Sequence, residues 1–131
     1  MAFRFEFDPV NKILLVRFEG QLTDESLAEL YKAFRKYSTT TDPSAGITDL
    51  SSVTEVALSS EFIRELAGQE PAMPGPTRPR FVVANQTVSF GLARMFQIVG
   101  GPTRPLLQVV RTLDEALAAL GVKSPNFEPL A

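Results

Sequence analysis

The sequence contains no cysteine and no histidine. Disulfides, thiol nucleophiles, nucleophile–histidine dyads and the usual zinc sites are therefore excluded, because each of these requires a thiolate or an imidazole. Carboxylates, hydroxyls, lysine, arginine and tyrosine remain as groups that can do chemistry. Because there is no cysteine to oxidise, and because the start MAFRFEFD lacks the basic-then-apolar layout of a signal peptide, we expect a cytoplasmic protein.

Strong charge of either sign and long apolar runs are also missing. The formal net charge is −2, and no block of lysine or arginine offers the footprint that binds nucleic acid or an anionic membrane surface. No apolar run approaches the roughly 20 residues that span a bilayer. We therefore expect no nucleic-acid partner and no integral membrane segment. The sequence also has no phosphate-binding glycine loop and no metal-ligand motif, so we expect no cofactor and no metal.

The length of the chain predicts one domain, because 131 residues is close to the commonest size of a single domain. Gly121 follows the last apolar helical pattern, and the residues beyond it include two prolines. We therefore expect a single domain over residues 1–121 and a C-terminal tail over residues 122–131.

The chain begins with the pattern of a β-hairpin followed by a helix. Phe3, Phe5 and Phe7 alternate with polar residues, which is the two-residue period of a strand with one buried face. A second strand is predicted over 13–19, and apolar residues at helical spacing follow Thr23, the expected N-cap. Later patterns predict a strand over 46–50, a helix ended by Gly68, a proline-rich loop over 71–79, a strand over 80–84, a helix over 88–99, a strand over 106–110 and a helix from Thr112 to Gly121.

This order, ββαβαβαβα, indicates an α/β fold. Strands joined by single helices require right-handed crossovers, so strands two to five should be mostly parallel, with strand one antiparallel beside strand two. We expect a mixed five-stranded sheet with helices packed on it.

Several polar residues follow the predicted parallel strands, where ligands bind in open α/β sheets. They are Asp49, Ser51, Ser52 and Thr54 after strand three, Asn85 and Thr87 after strand four, and Arg111 and Thr112 after strand five. The cluster can receive a small polar ligand. Alternatively, Asp49 caps its own loop, Asn85 or Thr87 caps the third helix, and Thr112 caps the fourth.

The third predicted helix carries a candidate contact surface. Its apolar stripe, which we expect to be buried, consists of Val88, Leu92, Met95, Phe96 and Val99. Phe90 falls nearly opposite this stripe, in company with Arg94 and Gln97. An aromatic beside an arginine on an outer face is typical of an interface, although a neighbouring loop can also cover a residue in the first helical turn.

The segment Ile47 to Leu66, ITDLSSVTEVALSSEFIREL, resembles the switch segment of the STAS family, the sulfate-transporter and anti-sigma-factor-antagonist domains. The family pattern, about D-L-S-G-V-T-x-I-D-S-S-G, matches at Asp49, Leu50, Ser51, Val53, Thr54 and Val56. The family's loop aspartate falls on Ala57, its phosphoacceptor serine on Leu58, and the following Ser-Gly on Ser59 and Ser60. The resemblance therefore implies the STAS fold without the usual phosphoacceptor.

Two further segments, FGLARMF at 90–96 and VVRTLDEAL at 109–117, resemble a SpoIIAA-like bacterial subgroup of the family. In STAS proteins the loop after strand three and the second helix commonly dock a partner protein, and related folds of the CRAL-TRIO group hold lipids. The resemblance thus implies a protein partner, with a lipophilic ligand as the alternative.

Ser59 and Ser60 precede the second predicted helix, where a helix N-terminus stabilises phosphate, so either serine can be a displaced phosphoacceptor. An N-cap serine has the same sequence signature. Leu58 is expected to be buried against the second helix or exposed in an interface, and in neither case to be a chemical site.

The remaining charged candidates are arginines in two similar loops and a group of glutamates. Gly75-Pro-Thr-Arg-Pro79 and Gly101-Pro-Thr-Arg-Pro105 each precede a strand, so Arg78 and Arg104 can bind an anion together or be two solvated loop residues. Glu55, Glu61 and Glu65 with Arg64 can supply an acid and a base, but helical carboxylates at this spacing are typical of a solvated face.

The leading hypothesis is a non-enzymatic regulatory module that acts by protein–protein contact, with a signalling partner or a second copy of the chain, through the segment 53–66 and the face around Phe90. The alternative is a small binding protein for a lipophilic or anionic ligand, held between the sheet and the second and third helices.

Overall fold

The strands and helices follow each other as the sequence predicts, with one strand added at the end. A computed structural model describes residues 3–75, 77–101 and 104–130. The elements are β1 Phe3–Asp8, β2 Ile13–Thr23, α1 Asp24–Thr41, β3 Ala45–Ala57, α2 Ser60–Gly68, β4 Arg80–Val83, α3 Thr87–Val99, β5 Leu107–Val110, α4 Leu113–Ala119 and β6 Glu128–Pro129.

The elements form one mixed sheet in the order β5-β4-β3-β2-β1-β6. β1 pairs antiparallel with β2, and the pairs β2–β3, β3–β4 and β4–β5 are parallel, which confirms the predicted α/β arrangement. Among the described residues the sheet has one strand more than the five predicted. β6 has only two residues and no alternation, and it forms because the end of the chain pairs antiparallel with Glu6 and Phe7 of β1.

Each face of the sheet carries its own apolar core, because successive strand residues point to opposite sides. On one face, side chains such as Leu14, Val16 and Phe18 of β2 pack under Leu30 and Phe34 of α1. On the other face, residues of β2, β3 and β4 pack against Ala116 and Leu117 of α4. The predicted tail adds to both, since Phe127 packs on the second core and Leu130 on the first.

β3 is longer than the sequence predicts. The expected strand over 46–50 and the residues that follow it form one strand, which stays paired with β2 as far as Thr23 and Ala57. The pairing shifts register at two irregularities, one of them next to Gly20 at φ +84°. The strand therefore continues through the polar part of its sequence. Only Leu58 and Ser59 therefore connect β3 to α2.

Among the residues that the structure describes, no helix is long and apolar enough to cross a membrane.

Candidate functional site

The side chain of Asp49 accepts its hydrogen bonds from within its own strand. This buried carboxylate accepts hydrogen bonds at Oδ1 from the backbone N–H of Ser51 at 2.9 Å and from the Ser51 hydroxyl at 2.5 Å. Its other oxygen lies 3.7 Å from Nη1 of Arg17. The interpretation of Asp49 as a local cap therefore agrees with its contacts.

The contact between Asp49 and Arg17 belongs to a row of charges across the sheet. Arg17 Nε lies 2.7 Å from Glu6 Oε2, which is also 3.5 Å from Arg4 Nε, and Arg4 in turn contacts Glu19 at 2.5 Å. Alternating signs on neighbouring strands stabilise such a surface modestly, by about 0.2–1 kcal/mol per pair. The row is a structural arrangement in which each charge contacts one of opposite sign.

The predicted polar residues at the ends of different strands are not joined by hydrogen bonds in the described part of the chain. No hydrogen bond or ion pair joins Asp49, Asn85 and Arg111 to one another anywhere in the described part of the chain. Ser52 and Thr54 are exposed along β3. Thr112 caps α4, as predicted, because its hydroxyl accepts from the backbone N–H of Glu115 at 3.1 Å.

The prediction that Asn85 or Thr87 caps α3 was wrong. The N-cap is Gln86, which makes no side-chain hydrogen bond to the helix. Its amide instead donates to the carbonyl of Val53 in β3 at 2.6 Å. Tertiary contact with β3 thus replaces local capping.

Ser59 is the N-cap of α2. Its hydroxyl accepts from the backbone N–H of Phe62 at 3.1 Å and donates to Asp24 Oδ2 at 2.9 Å, while its backbone N–H donates to Asp24 Oδ1. The carboxylate of Asp24 therefore places a negative charge directly beside the hydroxyl. Ser60 is exposed as the first residue of the helix.

Leu58, at the position aligned with the phosphoacceptor, is half-buried. It packs on the core beneath α1 and lines a cavity between the sheet and the helices. Leu58 is therefore part of the apolar lining of this cavity and not an exposed contact residue.

The buried side of α3 is not the side that the sequence predicts. Ser89 and Ala93 are its buried residues, whereas Val88 is 60% exposed and Val99 45% exposed, so the prediction that these valines are buried was wrong. Small side chains allow the helix to approach its neighbours closely on that side. Much of the apolar surface of α3 is left facing solvent.

Phe90 is half-buried rather than an exposed anchor. The guanidinium of Arg111 lies over its ring, 4.1 Å from the centroid, which is the geometry of a cation–π contact. Arg94, on the next turn, is exposed.

An apolar cavity of about 140 Å³ lies between the sheet and helices α1, α2 and α3. Its lining is mostly apolar and includes Leu30, Phe34, Leu50, Leu66, Leu92 and Phe96. Two arginines, Arg80 and Arg104, are exceptions to this apolar lining.

Arg104 is buried and holds the end of α2. Its guanidinium donates to the carbonyls of Ala67 at 2.7 Å and Gln69 at 3.1 Å, and it lies 4.7 Å from the centre of the Phe96 ring. A cation at a helix C-terminus satisfies free carbonyls and complements the helix dipole.

The interpretation of Arg78 and Arg104 as a solvated pair was therefore wrong for Arg104. Arg78 pairs with Asp42 at 2.8 Å. Three members of the two similar loops, Pro76, Pro102 and Thr103, lie outside the described residues. The predicted acidic group is solvated: Glu55, Glu61, Arg64 and Glu65 are exposed.

Arg80 is the residue that the sequence did not single out. It is 8% exposed, and its Nη2 donates to the carbonyls of Met73 and Gly75. Nε and Nη1 have no hydrogen-bond partner among the described residues. Burial, together with the nearby Arg104, lowers the pKa of Arg80 below its ordinary value. The sequence feature that could have identified Arg80 is a cation at the start of an apolar strand, on the same face of that strand as Val82.

No group of three or more acidic residues that could hold a metal ion occurs in the ranges 3–75, 77–101 and 104–130.

No protein-family model matches the sequence, and no curated protein matches it. Among solved structures, the chain is similar to the crystal structure of an anti-sigma factor antagonist from Mycobacterium paratuberculosis. The two are 21% identical, and the match covers 92% of this chain and 95% of that chain with a TM-score of 0.60. This likeness confirms the predicted STAS-like fold.

Proposed function

We propose that this chain is a regulatory module that acts by binding another protein and not by catalysis. The observation that carries the proposal is the apolar surface of α3 that the fold leaves open. Val88, Ile98 and Val99 are 60%, 69% and 45% exposed. We call these three residues the α3 stripe.

The residues of the α3 stripe lie on the same side of the helix. At 100° per residue, positions 88, 98 and 99 fall within one third of the helix circumference, and the half-buried Met95 lies between them. Single exposed apolar residues need no explanation, but grouped ones are typical of interaction sites.

The charges beside the stripe favour a partner with an acidic border. Arg94 is exposed on the adjoining side of α3, and Arg111 lies over Phe90 on the same side. A protein whose contact surface has an apolar centre and carboxylates at its rim would complement both features. The solved neighbour is an anti-sigma factor antagonist, a name that implies a protein target, and this supports the same kind of role here.

The segment 53–66 contributes to the proposed surface only through its exposed residues. Leu58 lines the cavity, whereas Ser60 and Glu61 at the start of α2 are exposed. We therefore place the centre of the interface on α3.

The test compares capture of a partner by the wild type, Ile98→Asp and Val10→Asp. Val10 lies outside the stripe, in the turn between β1 and β2, and is 80% exposed, so it controls for adding a charge to an exposed apolar position. A protein captured from a native lysate is identified by mass spectrometry, purified and bound again to each variant. We expect wild type and Val10→Asp to bind it and Ile98→Asp not to.

Two results would contradict the proposal. Equal binding by all three proteins would remove the α3 stripe from the interface. A wild-type chain that dimerises in sedimentation experiments, with the dimer lost only in Ile98→Asp, would assign the stripe to self-association instead of a partner.

A further inference from the structure

The cavity between the sheet and helices α1, α2 and α3 combines an apolar lining with a cation that the described residues do not satisfy. Its volume of about 140 Å³ is close to the about 150 Å³ of an engineered apolar cavity that binds benzene. A compact group of about six carbons therefore fits inside it.

Arg80 supplies the polar end of the cavity. The guanidinium is more than nine-tenths buried, and the three N–H bonds on Nε and Nη1 have no acceptor among the described residues. Its two hydrogen bonds, to Met73 and Gly75, both use Nη2 and neutral carbonyls. No carboxylate in the described part of the chain forms a salt bridge with Arg80.

A buried charge in this condition is costly. Removing a guanidinium from water costs free energy, and this cost is offset only when the charge is paired and the N–H donors are hydrogen-bonded. Arg104 adds a second positive charge to the wall of the same cavity. Both facts favour an anion, because an anion supplies the missing acceptors and offsets the repulsion between the two cations.

We infer that the cavity binds a small carboxylate of about six carbons, its carboxylate on Nε and Nη1 of Arg80 and its apolar tail in the rest of the cavity. A single negative charge matches the few free donors, whereas the remaining oxygens of a phosphate would face apolar walls. A neutral molecule of the same size would leave the donors of Arg80 unsatisfied.

The strand register gives the ligand a direction. Arg80 begins β4 and lies beside Gly46 near the start of β3, while Leu58 follows the far end of β3. The half-buried Leu27, Leu58 and Leu92 line the cavity towards that far end. The carboxylate therefore lies at the start of the parallel strands and the tail points to the connection between β3 and α2.

The test uses hexanoate, 1-hexanol and acetate as probes of the wild-type protein, with calorimetry for affinity and the ¹⁵N resonance of Arg80 Nε as the local signal. Hexanoate should saturate one site and shift the Arg80 resonance. 1-Hexanol, which lacks the charge, and acetate, which lacks the tail, should each bind at least about tenfold more weakly.

Two variants test whether hexanoate binding depends on Arg80 itself or on the positive charge of the region. Arg80→Met keeps the length of the side chain and should weaken hexanoate binding by about 10- to 100-fold while leaving 1-hexanol binding unchanged. Arg78→Met removes a neighbouring cation that does not line the cavity, and its hexanoate affinity should equal that of the wild type.

The inference is overturned by any of three results: no saturable hexanoate binding, equal affinity for hexanoate and 1-hexanol, or hexanoate binding that leaves the Arg80 resonance in place. The last two are measured on the wild type, so they decide the matter even when Arg80→Met does not fold. Loss of partner binding in Ile98→Asp has no bearing on these results.

Discussion

Ser59 connects the starts of two helices through one hydroxyl group. It caps α2 and is held by both carboxylate oxygens of Asp24 in the first turn of α1. A phosphate on Ser59 would be repelled by Asp24, which lies 2.9 Å from the hydroxyl. Ser59, next to the position that aligns with the STAS phosphoacceptor, therefore has a structural role that its sequence alone does not distinguish from a modification site.

Replacing Ser59 should lower stability, whereas replacing Ser60 should not. Ser59→Ala removes the cap and the contact with Asp24, so we expect a loss of about 1–2 kcal/mol in the free energy of unfolding. Ser60→Ala is the matched control and should stay within about 0.5 kcal/mol of the wild type. Urea unfolding followed by circular dichroism measures both, and equal losses in the two variants would contradict the assigned cap.

Asp8 holds the β1–β2 turn to the C-terminal segment. The side chain is fully buried and accepts from the backbone N–H groups of Val10, Asn11 and Asn126, and from the Asn11 amide. Burial alone would raise the pKa of this carboxyl, but the hydrogen bonds together lower the pKa below its ordinary value.

The depressed pKa makes the contribution of Asp8 depend on pH. Because the folded pKa is below the unfolded value of about 3.9, the stabilisation is complete above that pH and is lost as pH falls through the folded pKa. Asp8→Asn should therefore cost about 2 kcal/mol at pH 7 and less at pH 3. Urea unfolding at both pH values measures the difference. Glu29→Gln, at an exposed position, should show no such trend, and a cost for Asp8→Asn that is the same at both pH values would refute the assignment.

At the scale of elements, the existence of a helix was easier to predict than its orientation. Apolar residues cover more than half of α3, so periodicity identified the helix but placed its buried face about a quarter turn away. Ser89 and Ala93 are the buried residues because small side chains permit close packing, and a hydrophobic stripe gives small residues little weight.

Lysine substitutions on α3 test this orientation. Val88→Lys places a charge at an exposed position and should change the free energy of unfolding by no more than about 0.5 kcal/mol. Ala93→Lys buries a charge and should cost about 3 kcal/mol or more. Thermal and urea unfolding of the two variants measure the costs. The opposite ranking would restore the buried stripe that the sequence predicts.

The ends of helices and strands could be predicted where they depend on residues near in sequence, and not where they depend on distant ones. Thr112 was predicted as an N-cap, and capping was one of the two interpretations of Ser59 and Ser60, because a hydroxyl before a helix has a local partner. Gln86 was missed because its amide bonds to Val53, 33 residues away in sequence. The length of β3 was missed because its second half is held by pairing with β2 and not by its own polar sequence.

For the whole molecule, the sequence predicted the α/β order and the parallel core of the sheet. These depend on periodicity and on the short connections between elements. β6 and the cavity depend on packing between distant segments, such as Leu130 beside Phe5 and Arg80 beneath three helices. No local pattern reports such contacts, so the residue with the clearest ligand chemistry, Arg80, was read as the first residue of an ordinary strand.

The affinity of the purified partner for Ile98→Asp and for Val10→Asp tests the central claim most directly. We expect Val10→Asp to bind with the wild-type dissociation constant and Ile98→Asp to bind at least about tenfold more weakly, since an added carboxylate both disrupts the α3 stripe and repels an acidic rim. Circular dichroism establishes that both variants are folded. Equal dissociation constants for the two folded variants would contradict a role of the α3 stripe in binding a protein.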